Sequence, residues 1–168
     1  MFIESMTRQA SIDLLERTKL GRLACSHDGQ PYINPISFAL DADCLYCVST
    51  IGQKIAWMRA NPLVCVEAAE LVSRQDWASV IVLGRYEELP DTAEYAALRE
   101  HAYDLLQKNP LWWEPAYVKS VGERARVPEL TYFRIHIDQI SGRRGIPESG
   151  HVRKASWREK LFGSWRGH

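Results

Sequence analysis

Six strand-length runs, separated by turn signals at short spacing, constrain this chain more than any other feature. They lie at residues 22–26, 32–40, 44–49, 63–69, 77–87 and 131–140. Alternation along 32–40 puts Tyr32, Asn34, Ile36, Phe38 and Leu40 on one face and Ile33, Pro35, Ser37 and Ala39 on the other. Along 131–140 it gives a core row of Phe133, Ile135 and Ile137 and a second row of Tyr132, Arg134, His136 and Asp138. Asp28-Gly29 is a strong hairpin signal, and Asp41-Ala42-Asp43 is a second turn. Several short strands joined in this way favour a small antiparallel barrel over a parallel sheet. The expected fold is therefore mainly β (α+β), a six-stranded antiparallel barrel with flanking helices.

Three helices are expected around it. Residues 7–18 carry an apolar stripe of Ile12, Leu14 and Leu15. A short helix runs from Lys54 to Asn61, where Asn61-Pro62 closes it. The longest starts at Asp91, with Glu94 completing a capping-box pattern, buries Tyr95, Leu98, Ala102, Leu105 and Leu106, and ends at Asn109-Pro110. Residues 111–117 are rich in aromatics and proline and read as irregular. From Ser141 onward the chain is rich in Gly, Arg and Lys and reads as poorly ordered, except where Trp157, Phe162 and Trp165 dock. Two units are expected, a barrel domain over 1–145 and a basic, tryptophan-containing tail over 146–168.

Composition narrows the function classes. The 168 residues suit one domain with a real core, and a formal net charge of +0 gives no sign of a nucleic-acid partner. The longest apolar runs, such as Val80-Ile81-Val82-Leu83, are far short of the roughly 20 residues that cross a bilayer. No basic segment followed by an apolar core opens the chain, so no signal peptide is expected. Cys44-Leu45-Tyr46-Cys47 has the spacing of a zinc or redox pair, but no second pair follows and strand alternation points the two thiols to opposite faces. Buried free thiols in a cytoplasmic protein are the expectation for Cys25, Cys44, Cys47 and Cys65.

One segment suggests a ligand. The strand at 44–49 runs into Ser49-Thr50-Ile51-Gly52-Gln53-Lys54 and then opens a helix. Two hydroxyls, a glycine and a lysine at a helix start suit a phosphate, although a solvated strand–helix turn has the same composition. Asn34-Pro35 interrupts its strand; proline cannot donate to a ladder, so the strand is locally unpaired or lies on an edge. Freed backbone groups there can bond a planar ligand. Trp77 and Ser79 share one face of their strand, where a tryptophan is either core, interface or cofactor wall. Glu67 stands in a row with Leu63 and Cys65 and should be paired or line a polar cavity. Arg143 and Arg144, just after the last strand, reach a phosphate or form a solvated basic tail.

Other chemistries find no support. His27, His101, His136, His151 and His168 have no metal-site spacing, so no metal is expected. There is no nucleophile elbow and no dinucleotide fingerprint. Lys54 is not followed by Ser or Thr, which excludes the nucleotide-hydrolase phosphate loop.

The order of these pieces resembles the pyridoxamine 5′-phosphate-oxidase-like flavoproteins, which have the FMN-binding split-barrel fold, and in particular the short members that include nitroimidazole-resistance reductases. The residues that carry it are 20–24, 28–38, 45–54, 58–65, 77–84 and 133–135, spanning about 7 to 142. The resemblance implies a homodimer with FMN at the subunit interface. Lys54, Ser49 and Thr50 would hold the phosphate, with Arg22 a weaker candidate. Asn34, Pro35, Ile36 and Ser37 would run beside the isoalloxazine ring, partly through backbone. Trp77 and Ser79 would approach from neighbouring strands. The segment that reads a vitamin phosphate in the oxidase proper has no match here. The implied activity is an FMN-dependent oxidoreductase acting on a small molecule such as a nitro compound or quinone. Its alternatives are a non-catalytic flavin store or sensor, a haem-binding split barrel using His136 or His151, and a deazaflavin-dependent reductase.

Overall fold

The computed structural model describes residues 2–108 and 129–147. Among them the chain forms β1 (Phe2–Ser5), α1 (Arg8–Thr18), β2 (Leu20–His27), β3 (Gln30–Ser37), β4 (Ala39–Asp41), β5 (Cys44–Thr50), α2 (Gln53–Ala60), β6 (Leu63–Ser73), β7 (Asp76–Leu89), α3 (Ala96–Gln107) and β8 (Leu130–Ile146). The irregular segment at 111–117, the expected helix end at Asn109-Pro110 and the tail residues His151, Trp157, Phe162 and Trp165 lie outside the described residues.

All strand pairs are antiparallel, in the order β3–β2–β6–β7–β8–β5–β4, with β1 joining the far end of β8. Ser37 ends β3 and Ala39 begins β4, yet these strands stand at opposite ends of that order. One residue, the fully buried Phe38, bridges them, so the sheet must curl round on itself. β3 and β5 then approach each other without pairing, which leaves a split in the barrel wall.

The interior is filled as alternation requires. Leu23, Cys25, Phe38, Leu45, Cys47, Val66, Val80, Val82, Phe133 and Ile135 form one core with Leu14 and Leu15 of α1 and Ile55 and Met58 of α2. Each large side chain buried there contributes roughly 1.5–3 kcal/mol. A smaller cluster on the outer face packs Tyr46 and Leu89 under Ala102 of α3. The Asp28-Gly29 hairpin is present, both residues having positive φ (49° and 76°) as a tight primed turn demands. Thr7 caps α1, its hydroxyl accepting from the Ala10 amide.

Four expectations are corrected. Eight strands replace six: β1 adds one, and the run at 32–40 breaks at Phe38 into β3 and β4. The last strand does not stop at Ile140: its partners β7 and β1 hold it through Ile146, so Arg143 and Arg144 are strand residues. Arg144 is committed to Glu4 of β1. Asp91 does not cap α3. Tight turns from Thr92 N–H to the Pro90 carbonyl and from Tyr95 N–H to the Thr92 carbonyl come first, and the helical ladder begins with Arg99 N–H bonded to the Tyr95 carbonyl.

Candidate functional site

The split places two strand edges face to face. β3 pairs only with β2, and β4 covers only Cys44–Tyr46 of β5, so the edge of residues 47–50 is open. Pro35 suits such an edge, and the register runs through it unbroken, opposite Arg22. Interruption of the strand is thus not what the proline does; it marks the edge.

Register assigns each side chain to a face. Tyr32, Asn34 and Ile36 pair with Cys25, Leu23 and Gly21 and point inward; Ile33, Pro35 and Ser37 point outward. Ile36 is core, so only its backbone is available to a ligand. Asn34 is different. Its side-chain nitrogen is buried and has no hydrogen-bond partner. A buried unpaired donor costs about 1–3 kcal/mol, a cost that a ligand acceptor beside β3 would remove.

Lys54 stands at the second position of α2. Gly52 caps the helix in extended conformation with no side-chain hydrogen bond, so first-turn amides are left over. The lysine is half-buried, and burial lowers its pKa; coupling to the thiols of Cys47 and Cys25 partly restores it. Among the described residues no carboxylate pairs with it. A desolvated ammonium with no carboxylate partner among the described residues, beside free helix amides, has the donor chemistry that suits an anion. Ser49 is buried on the Cys47 face, and its hydroxyl donates to the Thr50 carbonyl (3.1 Å), a bond it must give up before it can donate to an anion. Thr50, half-buried, points the other way, so only Ser49 shares a face with the row that leads to Lys54.

Trp77 and Ser79 lie elsewhere. Both face outward from β7. The Trp77 indole abuts Gly145 so closely that a Cβ there would stand 2.6 Å from its ring nitrogen. The Ser79 hydroxyl donates to Glu67 (3.2 Å), which faces Arg22 at 3.6 Å. Glu67 is therefore paired, on the outer face. Ser79 is opposite Arg143 and Ser49 is opposite Thr131, so about 40 Å of β8 contour separates them at roughly 3.3 Å per residue. Within one chain Asn34 through Ser37, Ser49, Thr50 and Lys54 lie on the elements that border the split, with Pro35, Ser37 and Thr50 pointing away from the interior, while Trp77, Ser79 and Arg22 lie on the outer face.

Beside the Arg22–Glu67–Ser79 group, the same outer face carries an apolar row. Ile33, Ala24, Cys65 and Leu83 form one register row across β3, β2, β6 and β7. Ile33 is 66% exposed, Leu83 46% and the neighbouring Leu63 63%.

Sequence reasoning did not single out the aromatic wall at the barrel end. The Trp57 ring meets Tyr32 at 5.4 Å and His27 at 5.8 Å. Trp57 is three residues after Lys54, one helical turn on, and Tyr32 is two before Asn34; both spacings were readable. Among the described residues no group of three or more His, Cys, Asp or Glu is placed to hold a metal ion. No helix among them is long and apolar enough to cross a membrane.

Comparison with known proteins supplies the context. A family model described as pyridoxamine 5′-phosphate oxidase matches residues 7–144. A protein of Rhizobium meliloti (strain 1021), described as uncharacterized, is 43% identical over 144 residues, covering 85% of this chain and 95% of its own. The crystal structure of a protein from Mesorhizobium loti described as FAD-binding superposes with a TM-score of 0.72 at 39% identity, covering 88% of this chain and 99% of that one. A FAD-binding protein from Mycobacterium smegmatis shares the fold at 23% identity, with a TM-score of 0.59 over 84% of this chain and 96% of its own.

Proposed function

The chain belongs to the pyridoxamine 5′-phosphate oxidase family, and on that premise we propose that it is a homodimeric, cytoplasmic oxidoreductase that works on a small molecule through bound FMN. The observation that carries this reading is the pairing of two unmet needs at the split: the uncompensated Lys54 ammonium at the α2 N-terminus and the partnerless Asn34 nitrogen on β3. A flavin mononucleotide offers an anion at one end and ring carbonyls at the other, and it answers both.

Lys54, the first-turn amides of α2 and the Ser49 hydroxyl would hold the phosphate. Asn34 and the open backbone edge at residues 35–37 would bond the polar edge of the ring. The bound flavin supplies the redox chemistry, so no nucleophile is required of the protein. Its work is to orient, to exclude water and to shape access. Trp77, Ser79 and Arg22 cannot join the site within one chain; a second copy docked on the Ile33–Ala24–Cys65–Leu83 row would bring its own across the split. Four unpaired cysteines suit the cytoplasm. His136 is bonded at both ring nitrogens, to Cys44 and to Glu87, which argues against its use as a haem ligand.

Purified protein should be yellow and should release FMN, identified by mass. Colourless protein that takes up neither FMN nor FAD would end the flavin reading. Release of FAD, the cofactor named for the Mesorhizobium relative, would keep the flavin and overturn only the choice of FMN. Light scattering should show a dimer, and Ile33→Glu should give monomer and lost flavin together; monomeric parent protein that still holds flavin would remove the shared site.

A further inference from the structure

Three neighbouring strands assemble a second cluster, on the outer face away from the split. Cys44 of β5 stands directly opposite His136 of β8, and Glu87 of β7 is opposite Arg134, which makes it the diagonal neighbour of His136. The contacts form a chain. Arg134 Nε donates to Glu87 Oε2 (2.6 Å), His136 Nε2 lies 2.5 Å from the same oxygen, and His136 Nδ1 lies 3.5 Å from Cys44 Sγ. The Arg134 bond holds the Glu87 carboxyl below its ordinary range, so it stays an anion. An anionic Glu87 fixes the imidazole proton on Nε2 and leaves Nδ1 to accept from the thiol. This is the order nucleophile, base, orienting carboxylate. The other three thiols have no such arrangement: Cys25 and Cys47 are in the core, and Cys65 stands in the apolar outer row.

We propose that Cys44 is a thiol nucleophile, with His136 as its base and Glu87 as its positioning residue, and that it exchanges with small-molecule disulfides. His136 Nδ1 takes the Sγ proton as the sulfur attacks one sulfur of RS–SR. The Cys44–S–SR bond forms and the RS–SR bond breaks. The electron pair of that bond leaves on RS⁻, which takes the proton back from His136 and departs as RSH. Cys44 is oxidised to a mixed disulfide and one half of the reagent is reduced. No resolving thiol follows: Cys47 is on the opposite face of the same strand, and β8 and β7 lie between β5 and β6, which carries Cys65. The product is a persistent mixed disulfide.

The charges around Cys44 decide the mode. Asp41 faces it from β4 and is held by His101 of α3; Asp43 faces it from the turn and is held by Arg8 of α1; Glu87 and Arg134 face it from β7 and β8. Arg85 of β7, opposite His136, is committed to Asp138. Burial pushes the thiol up, Arg134 opposes this and the three carboxylates reinforce it. Cys44 is thus a thiol deprotonated as it attacks, not a standing thiolate.

The test uses full-length protein, hydroxyethyl disulfide as reagent and peptide mass spectrometry after trapping the remaining thiols with iodoacetamide. At pH about 7, below the midpoint of a free thiol at about 8.5, Cys44 should take the adduct before Cys65. His136→Asn should slow Cys44 at least about tenfold, within what a general base supplies, and leave Cys65 unchanged. Glu87→Gln should slow it less. His136→Asn should also shift the Cys44 rate profile toward alkaline pH. Adducts on Cys25 and Cys47 would report unfolding of a variant, in which case the other variant decides. Cys65 reacting as fast as Cys44, or Cys44 rates unchanged in the folded variants, would overturn the proposal.

Discussion

Replacing Lys54 by methionine should move ligand affinity and protein stability in opposite directions. Methionine keeps a long apolar stem in the half-buried position and removes the ammonium. In the ligand-free protein that ammonium is desolvated, with no carboxylate among the described residues to offset it, and its lowered pKa is the sign of that cost. Its loss should leave the apo protein as stable as the parent or more so. With flavin bound, the same ammonium is a charge-assisted hydrogen-bond donor, worth about 1.5–3 kcal/mol. At about 1.4 kcal/mol per tenfold change, the dissociation constant should rise roughly 10- to 150-fold. Fluorescence quenching on titration of apo protein with FMN gives the affinity, and urea unfolding of the same preparations gives the stability. The pH dependence has a defined sign. A lysine whose folded pKa is lowered binds fewer protons folded than unfolded between that value and its ordinary 10.5, so it contributes stability that grows as pH rises through that window. Lys54→Met should lose this increment. An unchanged FMN affinity would refute the phosphate cradle, and a destabilised apo protein would refute the claim that the charge is uncompensated.

Two further predictions rest on other parts of the fold. Burial pushes the Cys47 thiol up to about 12 from an ordinary 9.0; the folded state therefore keeps a proton that the unfolded state releases, and stability present below pH 9 should fall by on the order of 1.4 kcal/mol per pH unit up to about 12. Cys47→Ala should flatten that part of a denaturation-against-pH curve, and an unaltered slope would place the alkaline loss elsewhere. Thr7→Ala should cost about 1 kcal/mol as a lost cap, while Asp91→Ala, which removes only an exposed contact to Arg99 at 3.6 Å, should cost under about 0.5 kcal/mol; equal losses in thermal melts would restore the capping box at Asp91.

Much of the fold was readable because strand alternation, tight turns and caps are local. The Asp28-Gly29 turn needs two positive φ values that those residues adopt readily, and Thr7 satisfies an amide three residues away. The faces of β8 followed from a period of two. Asp91 misled because its pattern is also local: two tight turns consumed the residues that a capping box needs. The extension of β8 could not be read, since Gly142, Arg143 and Gly145 have no strand preference of their own and are held by β7 and β1.

The sequence by itself determined most of the strands, their faces and the phosphate-like turn before α2, because each depends on neighbours within a few residues. Only the tertiary structure decided which edges meet. Closure through Phe38 set β3 against β5, so that the elements carrying Asn34, Ser49 and Lys54 border one split while Trp77 and Ser79 end up on another face. The same long-range register placed Cys44, His136 and Glu87, residues 92 and 49 apart in sequence, within contact of one another. Contacts of that separation are fixed by how a sheet closes, and no local pattern encodes it.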